Sequence, residues 1–381
     1  MKIGSISENK EFEKRIAITP EIAKKYKTLG FEVSIIKNYG SHLGFNDNQY
    51  KESGVKIISE EKSLINDSDL VVQLNLLSDD KISLLKENQS LIGIFEPYKN
   101  KEKIENLIKK NINIFSLELL PRITRAQSMD ILSSQANLAG YKAVILAANY
   151  LPHIFPLMMT ASGTIRPAKV LVLGAGVAGL QAIATAKRLG AIVYGYDIRP
   201  IVKEQVESLG ARFLETIPDE TNDTETKDGY AQSMSEDFYS KQRELLTNIA
   251  KETDVIITTA AIPGKKAPVL INKEMVKLMP VGSVIVDLAA ANGGNCELTK
   301  ENEIINEHNV TIIGTTKIQS AVPKDASQMY SQNIANILLE IIKDGDINID
   351  MENPIISNII ITKDGNVINS RIQQLIEDTK Q

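Results

Sequence analysis

Residues 169–197 read Lys-Val-Leu-Val-Leu-Gly-Ala-Gly-Val-Ala-Gly-Leu-Gln-Ala-Ile-Ala-Thr-Ala-Lys-Arg-Leu-Gly-Ala-Ile-Val-Tyr-Gly-Tyr-Asp, and the fold class follows from them. Val170–Leu173 is a short apolar run rich in β-branched residues, the pattern of a strand buried on both faces. Gly174, Gly176 and Gly179 follow in G-x-G-x-x-G spacing, with Ala175 and Val177 among them. Ala178 to Leu189 keeps helical periodicity until Gly190 stops it, and Asp197 ends a second apolar run, Ile192–Tyr196. Strand, glycine turn, helix, strand and acid in this order predict a dinucleotide-binding βαβ unit. Gly174 permits the tight turn, and Gly176 lets backbone N–H groups approach a pyrophosphate at the helix N-terminus. Gly179 lets helix and strand pack closely, and Asp197, eighteen positions later, accepts hydrogen bonds from ribose hydroxyls. A glycine-rich turn with no ligand is the rival reading, and the surrounding context speaks against it.

Asp197 also selects the coenzyme. A 2′-phosphate about 4 Å from its carboxylate would cost roughly 1–4 kcal/mol, depending on the local dielectric. That is about tenfold or more in affinity. Arg199, two positions on, is placed to soften the rejection, and the expectation is NAD(H) in preference to NADP(H).

At 381 residues the chain is too long for one ordinary core, and two domains are expected. A net charge of −5 argues against nucleic acid or an anionic membrane as the main partner. Cys296 is the single cysteine, which excludes an internal disulfide and fits a reducing cytoplasm. With no histidine near it in sequence, it reads as a small buried residue rather than a nucleophile. Met1–Ile6 reads as a first strand and not as a signal peptide. The longest apolar neighbourhood, Ala139–Met159, is interrupted by Lys142, Asn149, Pro152 and His153. No direct membrane insertion is expected, and a membrane role would come through a partner.

Working outward, Thr19 is a natural N-cap and Pro20 a natural first helical residue, for a helix that ends at Gly30. Phe31–Ile36, Leu70–Leu74, Leu91–Phe95 and Ile112–Ser116 read as strands separated by polar helical stretches such as Lys99–Lys110. The alternation predicts a parallel sheet with covering helices and no phosphate loop of its own. Arg122–Gln135 then breaks the pattern ahead of the apolar helix Ala136–Tyr150. It reads either as a solvated loop with Ser133 or Ser134 as helix cap, or as a polar cluster at a domain cleft that meets a nicotinamide carboxamide and ribose.

After the glycine turn the alternation resumes with a helix over Lys203–Gly210 and a short strand at Phe213-Leu214. Residues 217–240 are polar and loop-like, with Gly229, Tyr230, Met234, Phe238 and Tyr239 among acids. They form either a lid that closes over a ligand or a plain loop excursion. Asp254–Thr259 and Val284–Leu288 are strands whose carboxyl ends face ligands in doubly wound sheets. Thr258–Gly264, with Ala260 and Ala261, is therefore a candidate for adenine or ribose contact. Val310–Gly314 is a last strand, Asp325–Ile342 a helix, and Ile359–Ile361 with Val367–Ile368 a hairpin around Lys363-Asp364-Gly365. The tail is expected to return to the first domain, giving residues 1–135 plus 320–381 and residues 136–319.

Pro121–Tyr141, Met158–Gly163, Gly174–Leu189, Gly229–Gln242, Thr258–Ile271 and Asp287–Cys296 together closely resemble one family. It is the NAD(H)-binding alpha subunit (domain I) of proton-translocating NAD(P) transhydrogenase, a relative of alanine dehydrogenase. The resemblance runs nearly end to end, and the Arg122–Gln135 motif is far more specific than the glycine motif. It implies an α/β fold of two Rossmann-like, doubly wound parallel-sheet domains with a cleft between them, and a homodimer. It further implies NADP(H)-binding and membrane-spanning partner subunits, and a place on the cytoplasmic face of the inner membrane. By the same resemblance Arg122, Asp130 and Ser133 hold the nicotinamide carboxamide and its neighbours, and Gln127 reaches the ribose of the partner's coenzyme. Ile123, Thr124, Arg125, Ser128 and Met129 complete that stretch, while Ile198 and Arg199 flank Asp197. Gly229, Tyr230 and Gln242 belong to a mobile lid.

Alanine dehydrogenases carry a histidine in the stretch matching Gly93–Tyr98, and this chain has none. They carry an aspartate before the Gly-Gly of Asp287–Gly294, where Ala291 stands here. These departures remove the acid/base groups that amination of a keto acid needs. Val72–Leu77 also lacks an expected proline. Hydride transfer from NADH to NADP⁺ needs no proton donor, only rings held about 3–3.5 Å apart. None of His42, His153 and His308 sits in a site motif, and no metal is expected. One dinucleotide fingerprint means that a partner must bring the second nucleotide. The rival readings are a stand-alone alanine dehydrogenase-like enzyme and a non-catalytic NAD(H)-binding module.

Overall fold

The computed structural model describes residues 1–216, 235–261 and 266–378, and the chain divides into two units, Met1–Gln135 with Ser320–Gln381, and Ala136–Gln319. In the first unit the apolar runs form six strands: β1 (Lys2–Ser5), β2 (Glu32–Ile36), β3 (Lys56–Ile58), β4 (Leu70–Asn75), β5 (Ser90–Ile94) and β6 (Asn113–Ser116). They pair in parallel in the order β3-β2-β1-β4-β5-β6, so the winding reverses beside β1. The tail strand Ile360–Lys363 adds antiparallel to β6 and turns back into Asn366–Val367. The tail helix Pro323–Ile341 contributes Tyr330, Ile334 and Leu338 to the core that buries Val71, Ile92 and Phe115.

The second unit repeats this winding. Its strands are β7 (Lys169–Leu173), β8 (Ile192–Tyr196), β9 (Arg212–Leu214), β10 (Val255–Thr258), β11 (Val284–Asp287), β12 (Ile304–Glu307) and β13 (Val310–Ile313). Their order is β9-β8-β7-β10-β11-β13-β12, all parallel except the edge strand β12. Strand alternation sorts the side chains: Val170 and Val172 enter one buried cluster, Leu171 and Leu173 the other. Both faces are covered by helices, which is why β7 reads as an unbroken apolar run. The order reverses between β7 and β10, and ligands of such sheets bind outside the carboxyl ends of the strands at that point.

Three local expectations change. Thr19 stands at the start of the helix Pro20–Thr28 but makes no capping bond, because its hydroxyl meets Ser331 at 3.3 Å. The long apolar helix begins at Ile131, not at Ala136, and neither Ser133 nor Ser134 caps it. Asp130 does: its carboxylate accepts the Ser133 N–H at 2.9 Å and its carbonyl the Ser134 N–H at 3.1 Å. A negative charge is favoured there by the helix dipole. Residues 235–240 are not loop. Ser235 caps a helix, Glu236–Ala250, through the Phe238 N–H, and two acids in its first turn complement the dipole. Phe238 is buried and meets Tyr239 edge to face at 5.9 Å. Among the described residues no helix is long and apolar enough to cross a membrane.

Candidate functional site

In the second unit the glycine turn leaves the carboxyl end of β7 at the winding reversal. Gly174 has φ +94°, a left-handed conformation that favours glycine, and a Cβ there would lie 2.7 Å from the Thr259 hydroxyl oxygen. Its carbonyl accepts that hydroxyl at 2.9 Å. Gly176 caps the helix Val177–Arg188 with open space where a Cβ would stand. Gly179 is the opposite case, since a Cβ would fall 1.8 Å from the Gly174 carbonyl oxygen. The first N–H groups of any helix lack intrahelical acceptors, so this turn offers donors and the positive end of a dipole together.

Asp197 ends β8 beside the turn and is wired into it. Its Oδ2 accepts the Ala175 N–H at 2.8 Å and Arg199 Nη2 at 2.9 Å. Its Oδ1 accepts the Arg199 backbone N–H at 3.0 Å and Arg199 Nε at 2.9 Å. Ile198 packs against the core of that sheet face. Gly140, which sequence reading passed over, lets its helix cross the glycine-turn helix: a Cβ would sit 2.1 Å from the Ala178 carbonyl oxygen.

The ends of β10 and β11 are organised by Asp287, fully buried and surrounded by donors. Its carboxylate accepts the hydroxyls of Thr258 (2.9 Å) and Thr299 (2.7 Å) and the N–H groups of Ala289, Asn295 and Cys296. Asn295 then donates from its amide to the carbonyls of Ala260 and Pro268, both at 2.8 Å. Thr258 is therefore a structural partner, and Ala260 is held by its backbone. Ala261 is exposed. Cys296 is buried, and burial pushes its thiol up to about 11, so it stays protonated at neutral pH. Gln242 lies on the helix Glu236–Ala250, where it is buried and donates to the Tyr196 phenol at 2.8 Å. Gly229, Tyr230 and the segment 262–265 lie outside the described residues.

In the first unit the motif folds as a 3₁₀ turn, Thr124–Met129. Residues three apart eclipse in such a turn, and here Ala126 and Met129 plug into the core while Arg122, Ile123, Thr124, Gln127 and Ser128 stay exposed. One face of the tail helix straps it down. Asn333 and Asn336 both donate to the Ser128 carbonyl, at 2.8 and 2.9 Å, and Glu340 pairs with Arg125. The Ser133 hydroxyl donates to the Asp130 carboxylate, so these two candidates fix each other. Just upstream, Arg15 forks onto Glu13 at 2.6 and 2.8 Å and reaches Gln135 at 2.8 Å, all three buried. Where β5 ends and a histidine would stand in an alanine dehydrogenase, Glu118 accepts the N–H groups of Phe95 and Glu96. Burial pushes its carboxyl up to about 7. Among the described residues no group of three or more His, Cys, Asp or Glu could hold a metal ion.

Residues 4–139 match the family description "Alanine dehydrogenase/PNT, N-terminal domain" and residues 143–370 match "Alanine dehydrogenase/PNT, C-terminal domain". An NAD(P) transhydrogenase subunit alpha protein of Rickettsia prowazekii is 45% identical over 381 residues, covering 99% of this chain and 98% of that protein. A crystal structure of transhydrogenase from Sinorhizobium meliloti gives a TM-score of 0.85 at 36% identity, over 97% of this chain and 100% of that one. Alanine dehydrogenase 1 of Staphylococcus aureus is more distant, 27% identical over 359 residues, which cover 91% of this chain and 88% of that protein. The chain therefore belongs to the alanine dehydrogenase/PNT family and stands with its NAD(P) transhydrogenase alpha subunits.

Proposed function

We propose that this chain is the NAD(H)-binding subunit of a proton-translocating transhydrogenase, serving direct hydride transfer between NADH and NADP⁺ held on a partner subunit. The observation that carries the reading is the glycine turn. Gly176 leaves room over the first amides of its helix, and Asp197 is tied to the same turn through the Ala175 N–H. That donor set fits a pyrophosphate and a ribose. The likeness to transhydrogenase alpha subunits supports the choice of reaction. When bound, the coenzyme supplies a hydride that passes between nicotinamide carbons without a proton donor. The chain's own groups therefore orient. Asp130 and Ser133, fixed by their mutual hydrogen bond, hold the carboxamide with Arg122, and exposed Gln127 bridges to the partner's ribose.

The test is a mixing assay: this protein, an NADP(H)-binding partner subunit, NADPH and an NAD analogue whose reduction is followed optically. Gln127→Ala is expected to slow transfer about tenfold or more, through lost positioning, while NADH affinity stays close to wild type. Unchanged rates would remove Gln127 from the junction. Turnover of pyruvate, ammonia and NADH by the pure protein would overturn the whole reading in favour of an amino-acid dehydrogenase. Failure of the wild-type mixture to reduce the analogue would leave only a binding module.

The same reading makes the protein a homodimer, held on the cytoplasmic face of the membrane by membrane-spanning partner subunits. An exposed apolar hairpin, Met158–Thr160 with Gly163–Ile165, supports the dimer: Met159 is 74% exposed and Leu157 56%. Such clustered apolar exposure marks an interaction surface. Met159→Asp is expected to halve the mass seen by light scattering without lowering the melting temperature, and a retained dimer mass would place the interface elsewhere.

A further inference from the structure

The carboxylate that should receive the ribose is already full. An ionised carboxylate offers about four lone-pair sites. Asp197 spends them on the Ala175 N–H, the Arg199 N–H, and Arg199 Nε and Nη2. Two of the four bonds come from one guanidinium, folded back over a gap of two residues. The Arg199 backbone cannot follow the side chain if it leaves. Pro200 holds the preceding residue extended, and Arg199 sits at φ −87° and ψ 113°. Its own N–H is fixed on Asp197 Oδ1. The guanidinium can swing while the main chain and the Ala175 bond stay in place.

We infer that Arg199 is a displaceable internal ligand of Asp197 that sets how strongly this turn discriminates between a ribose with a free 2′-hydroxyl and one bearing a 2′-phosphate. The inference rests on the reading of the turn as a dinucleotide site. A ribose diol must take over lone pairs that Arg199 holds, so NAD(H) binds against the cost of opening an ion pair. That pair is largely shielded from water, with side-chain exposures of 16% for Arg199 and 7% for Asp197. The released fork has a planar geometry that matches phosphate oxygens. It therefore meets a 2′-phosphate favourably while Asp197 repels it. The arginine thus works against selectivity twice, by competing with the preferred ribose and by rewarding the disfavoured one.

The experiment titrates the full chain with NADH and NADPH, read by nucleotide fluorescence, for wild type, Arg199→Ala, Asp197→Asn and the double variant. Arg199→Ala is expected to bind NADH about threefold tighter and NADPH weaker, widening the ratio about tenfold overall. Asp197→Asn is expected to shift preference toward NADPH, and the double variant to lose that shift, because the gain depends on the freed guanidinium. A merely structural arginine would move both coenzymes together. Arg199→Gln, closer in length, repeats the measurement should the alanine variant melt early. Weaker NADH binding by both Arg199 variants, or an unchanged ratio, overturns the inference while leaving the dinucleotide site intact. Wild-type protein that binds neither coenzyme overturns the site and the inference together.

Discussion

Gly179→Ala is expected to abolish measurable NADH binding and to lower the melting temperature as well. The added Cβ would fall 1.8 Å from the Gly174 carbonyl oxygen and 2.9 Å from its carbonyl carbon. Both are backbone atoms that cannot rotate away. Gly174 is itself pinned by its left-handed conformation and by the Thr259 hydroxyl on its carbonyl, so the clash must be relieved by levering the helix off β7. Overpacking of this kind costs about 1–3 kcal/mol in a compliant core and more against backbone. Affinity is expected to fall on the order of a hundredfold or more, because the turn's amides no longer converge. Gly176→Ala separates the two roles. With φ −78° and no neighbour within 4 Å, alanine fits the free chain, and stability should change by less than about 0.5 kcal/mol. Its Cβ still stands where a pyrophosphate would approach, so NADH binding should weaken. Calorimetric melting with NADH titration checks both variants. A Gly176→Ala protein that binds like wild type would show that nothing needs that space.

Asp287→Ala is the second large effect. Five donors converge on a carboxylate with no exposed surface, and no cation shares it among the described hydrogen bonds. Removing it strands two backbone N–H groups of the Asn295–Cys296 corner and one of Ala289, together with two threonine hydroxyls. Losing one member of a buried charged network costs about 3–5 kcal/mol. In a domain of this size that is on the order of a 10 °C fall in melting temperature. Ligand affinity should fall too, since Asn295 loses the anchor from which it holds Ala260 and Pro268. Asp287→Asn, which keeps one acceptor oxygen but turns a donor against donors, should lie between. Calorimetry decides it: a loss below about 1 kcal/mol for the alanine variant would mean that the corner is held by something else.

Much of the second unit was legible because local chemistry and global topology agree there. Val170–Leu173 must be a central strand, Gly174 must turn, and Asp197 must stand at the next strand's end. The lone acidic residue Asp287 at the end of Val284–Asp287 gave no comparable sign of its hub role, since its five donors come from four separate stretches of chain. Sequence placed the polar motif at Arg122–Gln135 but mistook how it enters the helix. A serine looked like the cap, while Asp130 won because an ionised oxygen at a helix start gains from the dipole as well as from the hydrogen bond. Residues 235–240 were misread for a related reason: acids that make a stretch look like a polar loop are also what the first turn of a helix prefers. The straps on Ser128 and Arg125 were invisible, because Asn333, Asn336 and Glu340 lie some two hundred residues downstream. Gly140 looked like a weak spot in a helix until its neighbour, the Ala178 carbonyl, appeared.

The interrupted first unit has a consequence for synthesis. A ribosome makes residues 136–319 as one uninterrupted stretch, able to close its own sheet before the last sixty or so residues emerge. The earlier-made half must wait, with the edge of β6 bare and its hydrophobic centre lacking Tyr330, Ile334 and Ile360. A waiting strand edge is a template for unwanted pairing. Nascent chains stalled near residue 319 should therefore be the form most prone to aggregate and most in need of a chaperone.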